Sequence, residues 1–323
     1  MLIAGPNLTI DRTLAIAALR PGEVLRFERV IVTPGGKGLN VARAALALGA
    51  PAELVAFLPG HTGRAGAAMI AEEGVVLHGL PSPGELRSTA VIRERGGRTT
   101  VLNEPGPRLG ASEWDAYERA VRSRLPSHRV LVCSGSVPPG APPDAYGRLC
   151  ALARAAGATA VVDAGGGTLA AALAAGPDLV VPNLPEAEAL LGGGAEAGEA
   201  VEAGEAVEAG ADARPRTLAA AAALVERGAR AAVVTAAAAG AALAAADAAP
   251  TWIVAPAVGV VRNPVGAGDV LAAGLAAALE RGEPLAAALR AGMAAAAASV
   301  EDATAGRLDP ARAAELAAGM PRG

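Results

Sequence analysis

Glutamine is missing from the 323-residue sequence, and lysine occurs once, as Lys37, among 28 Lys and Arg residues. Asparagine appears only at Asn7, Asn40, Asn103, Asn183 and Asn263. Aromatic residues make up 2%, so alanine and valine carry most of the 52% hydrophobic content. Two cysteines, Cys133 and Cys150, are too few for a disulfide framework or a four-thiolate zinc site. The three histidines, His61, His78 and His128, lack metal-ligand spacing. There is no basic tract, and the net charge of −4 with a pI near 5.6 argues against general nucleic-acid binding. Alanine-rich stretches such as 293–299 are interrupted before they reach membrane-spanning length. The opening MLIAGPNLTID has no basic, signal-like region. These absences predict a cytoplasmic protein with neither a nucleic-acid nor a membrane partner. The length suits one large domain over 1–323 with a core that needs no staples.

What is present alternates. Apolar runs at 54–58, 75–77, 130–133, 160–163, 179–181 and 231–235 read as buried strands. Helix-like segments at 65–73, 112–124, 142–156, 168–175 and 217–227 separate them, and from Gly266 onward the chain reads as consecutive helices. Strand–helix repetition predicts an α/β fold, a mostly parallel central sheet flanked by helices on both faces. Two segments break the rhythm: 12–33, with extended runs around Pro21-Gly22, and 87–104, with a hairpin turning at Gly96-Gly97. Together they predict a small β-sheet projecting as a lid or dimer surface. Residues 192–215 repeat GEAVEA at 198–203 and 204–209 and read as a low-complexity surface insertion.

Where a bias has removed a residue type, its survivors call for a chemical explanation. The first candidate is NPVGAGDVLAAGLAAAL at 263–279. A glycine-rich turn opening a helix aims unpaired N–H groups of Gly266, Ala267 and Gly268, and the helix dipole, at one point. That suits a phosphoryl group in transfer, and Asp269 beside it could take the proton of an attacking hydroxyl. A bare GxGD also describes an ordinary aspartate in a first helical turn; the long small-residue helix behind it favours function. The second candidate is TPGGKGLNVARAALALG at 33–49, which is neither a Walker A loop nor a dinucleotide fingerprint. Gly35, Gly36 and Gly38 let backbone approach a ligand, Lys37 supplies a point charge, and Asn40 supplies a donor and an acceptor.

GGKGxNVA early and GAGD late, joined by alternating β and α units, resemble the PfkB (ribokinase-like) carbohydrate kinase family. NLTID at 7–11 is similar to the family's NPALD motif, Arg87 falls where a Thr-Arg pair is usual, and NLPE at 183–186 matches NxxE. NEPGP at 103–107 and SGSVPPG at 134–140 look like the branch that phosphorylates phosphosugars, the 1-phosphofructokinase and tagatose-6-phosphate kinase type. All five asparagines fall inside or beside these matches.

The resemblance implies a ribokinase-like fold, ATP and Mg²⁺, Asp269 as base, and the 266–268 amides as anion hole. It implies that Asp11, Gly36 and Asn40 meet the sugar. Glu186 and Asn183 would hold Mg²⁺ through water; the same spacing also describes a helix-capping box. Thr235 and Gly240 would lie near the nucleotide, with Ala237 where the family usually has glycine. A sugar-phosphate dianion needs fixed cations; Lys37 and Arg87 are the candidates, Arg43 a third, with Ser134 and Ser136 as donors. Val181 and Asn263 also depart from the family pattern. The reading is therefore an ATP-dependent kinase of a phosphorylated ketohexose, fructose 1-phosphate first, then fructose 6-phosphate or tagatose 6-phosphate. A neutral sugar or nucleoside kinase, and a ligand-binding regulator with little turnover, are the alternatives. The lid further implies a homodimer.

Overall fold

The apolar runs form strands because they are buried on both faces. In β8 (Val130–Ser134), Val130 and Val132 enter one core cluster while Leu131 and Cys133 enter the other. The computed structural model describes residues 1–193 and 212–321. Its large sheet has nine strands in the order β13-β12-β11-β10-β9-β8-β1-β4-β5. They are β1 (Leu2–Ala4), β4 (Glu53–Phe57), β5 (Val76–Leu80), β8, β9 (Thr159–Asp163), β10 (Leu179–Val180), β11 (Ala231–Thr235), β12 (Gly240–Ala245) and β13 (Ala248–Val254). All pair in parallel from β5 to β11; β12 and β13 add an antiparallel edge.

Helices cover both faces. On one side lie α1 (Lys37–Ala47), α2 (Gly60–Glu72), α8 (Ala267–Glu280), α9 (Leu285–Ser299) and α10 (Pro310–Gly319). On the other lie α3 (Ala111–Arg124), α4 (Ala145–Ala155), α5 (Gly166–Ala174), α6 (Leu184–Leu191) and α7 (Ala213–Glu226). With few aromatics, the first layer packs on small residues. A Cβ at Gly292 in α9 would lie 2.6 Å from the Leu271 carbonyl oxygen of α8, and one at Gly274 would lie 2.9 Å from Gly292 Cα. Phe57, Trp114 and Tyr117 concentrate the aromatic packing on the opposite face, with ring centroids 5.0 and 5.1 Å apart along the stack.

A second sheet of four strands runs β3-β2-β6-β7, formed by β2 (Thr9–Ile16), β3 (Arg29–Gly35), β6 (Ser88–Glu94) and β7 (Thr99–Asn103). β2 and β6 are parallel; the outer pairs are antiparallel. Leu14, Ile16 and Ile92 give it a small core of its own. The edge strand β3 exposes Val30, Ile31 and Val32.

Several elements differ from the sequence expectations. β1, three residues long and not anticipated, lies inside the large sheet between β8 and β4. The hairpin β12–β13 falls where no element was expected; pairing with β11 draws this alanine-rich segment into the sheet. α2 begins five residues earlier than expected, where Glu85 accepts the Thr62 amide at 2.7 Å and so caps an orphan donor. Helix α7 starts at Ala213, inside the span read as an insertion; the GEAVEA copies lie outside the described residues.

The α8–α9 contact leaves no room for a methyl group. Gly292→Ala should destabilise the fold by about 1–3 kcal/mol through overpacking, read as a lower denaturant midpoint with unchanged slope.

Candidate active site

Chain order across the large sheet reverses between β1 and β8: β4 and β5 extend one way, β9 to β11 the other. The crevice beyond the carboxyl ends of strands at such a switch point is where open α/β sheets bind ligands. Asn7, just after β1, donates from Nδ2 to Ser136 Oγ, just after β8, at 2.9 Å. Helix α1 starts beside this crevice. Gly36 is its N-cap with φ 113°, a conformation that favours glycine, and a Cβ there would press within 3.1 Å of Leu8 Cα. Gly38 touches Gly5: a Cβ on either would fall 2.7–2.8 Å from the other's Cα.

Two side chains of the first turn of α1 reach different partners. Lys37 Nζ lies 4.0 Å from Asp163 Oδ1 and 3.9 Å from Glu186 Oε1. Asp163 ends β9 and is buried; burial raises its carboxyl pKa, the Lys37 charge opposes that rise, and the Glu186 charge adds to it. The buried Ser134 hydroxyl donates to Asp163 Oδ2 at 3.5 Å. Asp163 was not anticipated from the sequence; its signal is a buried strand stopping at an aspartate followed by AGGG. Asn40, three residues on from Lys37, donates from Nδ2 to Asp269 Oδ2 at 2.8 Å.

Asp269 stands in the first turn of α8, 5% exposed. Gly266 caps that helix in the left-handed region, φ 81°. The Ala267 amide donates to the Pro264 carbonyl at 3.3 Å. A Cβ added to Gly268 would meet nothing within 4 Å, so packing does not demand this glycine and the space beside it is open. Gly306, also unanticipated, closes over Asn40: its Cβ would lie 3.0 Å from Asn40 Oδ1.

The remaining residues surround this centre. Asp11, on β2, folds its carboxylate across Gly35, leaving no space for a side chain there. Arg87 donates to the carbonyls of Asn7 (3.1 Å), Leu8 (3.3 Å) and Glu104 (3.3 Å), bracing the foot of the small sheet. It lines a cleft of about 260 Å³ between segments 84–85 and 104–107. Arg43 points away, bound through Nε and Nη2 to both oxygens of Glu73 at 2.5 and 2.8 Å. Asn183 and Glu186 form a reciprocal capping box at the start of α6, with bonds of 2.8 and 2.9 Å. Thr235 is bridged to Asn183 at the end of β11. Ala237 has φ 47°, which costs a residue with a Cβ about 1–2 kcal/mol. Gly240 packs under Trp252: a Cβ would lie 2.8 Å from its ring. His78 and His128 lie by Glu53 at the start of β4, and Cys133 and Cys150 are buried and free.

The signature of the family described as pfkB family carbohydrate kinase matches residues 7–312. A 1-phosphofructokinase of Xanthomonas campestris pv. campestris is 33% identical over 280 residues, covering 84% of this chain and 82% of its own length. An ATP-dependent 6-phosphofructokinase isozyme 2 of Mycobacterium tuberculosis is 30% identical over 294 residues, covering 90% and 81%. The structure superposes on Escherichia coli phosphofructokinase-2 in complex with potassium with a TM-score of 0.83, 26% identity and 98% coverage of both chains. Arabidopsis thaliana ribokinase, complexed with ribose and ATP, shares the fold at a TM-score of 0.75 and 21% identity, covering 98% of each chain. The chain therefore belongs to the pfkB family of carbohydrate kinases, phosphotransferases with the ribokinase-like fold.

The electrostatics of the crevice generate a stability prediction. An acid whose folded-state pKa lies above its unfolded value contributes stability that is complete at low pH and lost as pH rises through the folded pKa. Lys37→Met removes the charge that restrains Asp163 and so raises that pKa further. The stability deficit of Lys37→Met should widen with pH above the usual aspartate range. The slope should be about 1.4 kcal/mol for each pH unit over which only the variant keeps the proton. Urea unfolding at several pH values reads it.

Proposed function

We propose that the chain transfers the γ-phosphoryl group of ATP to a hydroxyl of a phosphorylated ketohexose. Fructose 1-phosphate is the first candidate; fructose 6-phosphate and tagatose 6-phosphate are the others. The observation that carries the reading is the first turn of α1. It presents Lys37 to the switch-point crevice and, one turn on, hands Asn40 to Asp269 at the mouth of α8. A cation and a buried, oriented carboxylate are thus held by one rigid element.

In the proposed reaction, the acceptor hydroxyl gives its proton to Asp269 while its oxygen forms a bond to the γ-phosphorus. The bond from that phosphorus to the bridging oxygen breaks, and ADP leaves with the electron pair. The open space beside Gly268, at the positive end of α8, fits the transferring group. Asp11 would orient the sugar by accepting from its hydroxyls. Lys37 would attract the anionic substrates. Arg87 uses three of its five N–H groups on carbonyls, leaving two for a substrate phosphate. The exposed Val254, which ends β13 opposite Gly240, and the exposed Val260 and Val261 between β13 and α8 would offer an apolar seat for a nucleotide base.

The donor set fits a hydrated Mg²⁺. Glu186 would hold it through water, since its Oε1 lies on the Lys37 side while Oε2 accepts the Asn183 amide. Asn183 spends its own oxygen on the Glu186 amide and serves as orienter. Bound there, Mg²⁺ would offset the phosphate charge. The exposed Val30, Ile31 and Val32 on the edge strand support pairing of two copies through the small sheet. No helix among the described residues is long and apolar enough to cross a membrane, in keeping with a cytoplasmic setting.

The test is ADP release with ATP and Mg²⁺ across fructose 1-phosphate, fructose 6-phosphate, tagatose 6-phosphate, fructose, ribose and adenosine. Turnover should be confined to a phosphosugar, and Asp269→Asn should lower kcat roughly 10²–10⁴-fold. Turnover only with an uncharged acceptor overturns the substrate assignment, and silence across the panel favours a binding-only regulator. Gly268→Ala should keep the unfolding midpoint yet slow transfer, because its methyl group occupies the space assigned to phosphate.

A further inference from the structure

Arg43 is the one cation of the GGKGLNVAR segment that does not face the crevice. Its guanidinium has five N–H groups, and four are committed within the protein. Nε and Nη2 bind both oxygens of Glu73, Nη2 also reaches the Pro34 carbonyl at 2.6 Å, and Nη1 donates to Asn40 Oδ1 at 3.1 Å. Arg43 is 13% exposed and Glu73 21%. A guanidinium so engaged is a poor phosphate ligand. It is well suited to fix what it touches.

What it touches is the residue that holds Asp269. The two ends of the Asn40 amide face groups of opposite kind. Arginine can only donate, and an ionised aspartate can only accept. Only one orientation of the amide satisfies both: oxygen to Arg43, NH₂ to Asp269. Turning it over would set N–H against N–H at one end and oxygen against carboxylate at the other. The amide lies against Gly306 and Gly266, where an added Cβ would come within 3.0 Å of its oxygen and 3.6 Å of its nitrogen. The polar chain Glu73–Arg43–Asn40–Asp269 thus runs from the end of α2, through α1, to the first turn of α8.

We propose that Arg43, clamped by Glu73, is a positioning residue for phosphoryl transfer. It holds the Asn40 amide in the orientation that fixes Asp269 Oδ2. The proposal rests on the reading of Asp269 as the base. Arg43 acts only through Asn40, so its effect belongs to kcat and disappears when Asn40 is removed.

Arg43→Lys is the variant of choice, because lysine keeps a charge for Glu73 but lacks the fork that also reaches Asn40. With the phosphosugar that supports turnover, kcat should fall about tenfold, KM for both substrates staying within about twofold, as expected for a base displaced from its productive geometry. In an Asn40→Ala background the same substitution should cost less than about twofold, the non-additivity of residues acting in series. Wild-type kcat, losses that multiply with Asn40→Ala, or a change confined to KM would each overturn the proposal. A readout independent of turnover separates this from a failure of the kinase reading. The chain has five asparagines, so selective labelling yields five side-chain NH₂ pairs, and Asn40→Ala identifies one of them. In Arg43→Lys that pair alone should move towards its solvent-exposed position. An unmoved pair sinks the proposal whatever the enzyme's substrate proves to be.

Discussion

Backbone meets backbone where Gly5 and Gly38 touch, and the rest of the site is hung from that contact. β1 lies at the switch point of the large sheet, between β8 and β4, and α1 can rest on its end only because neither residue carries a Cβ. The depth of α1 then decides where Lys37 and Asn40 stand. The same device recurs where Gly274 and Gly292 let α8 settle against α9, fixing the helix that bears Asp269. A core with so few aromatics is often thought loose. Here small residues bring main chains close, and main chains are the stiffest parts available for aiming functional groups.

Charge in the crevice is arranged against stability. Asp163 is buried, and its ionised form is disfavoured by desolvation. Lys37 lies 4.0 Å from it and 3.9 Å from Glu186, beyond hydrogen-bond distance and close enough for all three charges to feel one another. Such a cluster is unattractive as structural glue. Perturbed, closely spaced charges of this kind mark a functional site more often than a structural one.

Much of this was legible beforehand. The strands of the parallel sheet announce themselves because burial on both faces demands uninterrupted apolar runs, and the glycine-rich turns at 35–38 and 266–268 stand out against a depleted alphabet. Composition is silent where alanine predominates. The segment 240–254 carries no strand pattern of its own, yet the open edge of β11 recruits it as a hairpin. Arg43 reads as a spare cation because sequence does not reveal that α2 ends with Glu73 facing it. Asp163 and Gly306 escape notice since each matters only through a residue far away in the chain. Asn183 and Glu186 show that one pair can serve two ends: the capping bonds that start α6 also present a carboxylate to Lys37.

The solitary lysine has a chemical consequence of a different kind. Arginine replaces lysine everywhere else in the sequence, so the chain contains a single side-chain primary amine, and it stands at the crevice. Aldehydes, acyl phosphates and reducing sugars that attack lysine side chains elsewhere on a protein's surface harmlessly find a single lysine here, besides the α-amine of Met1, which is buried against Glu280. A protein proposed to handle reactive carbonyl sugars has thereby gathered its whole susceptibility to lysine chemistry into the site itself, where occupancy by ligand would also shield it.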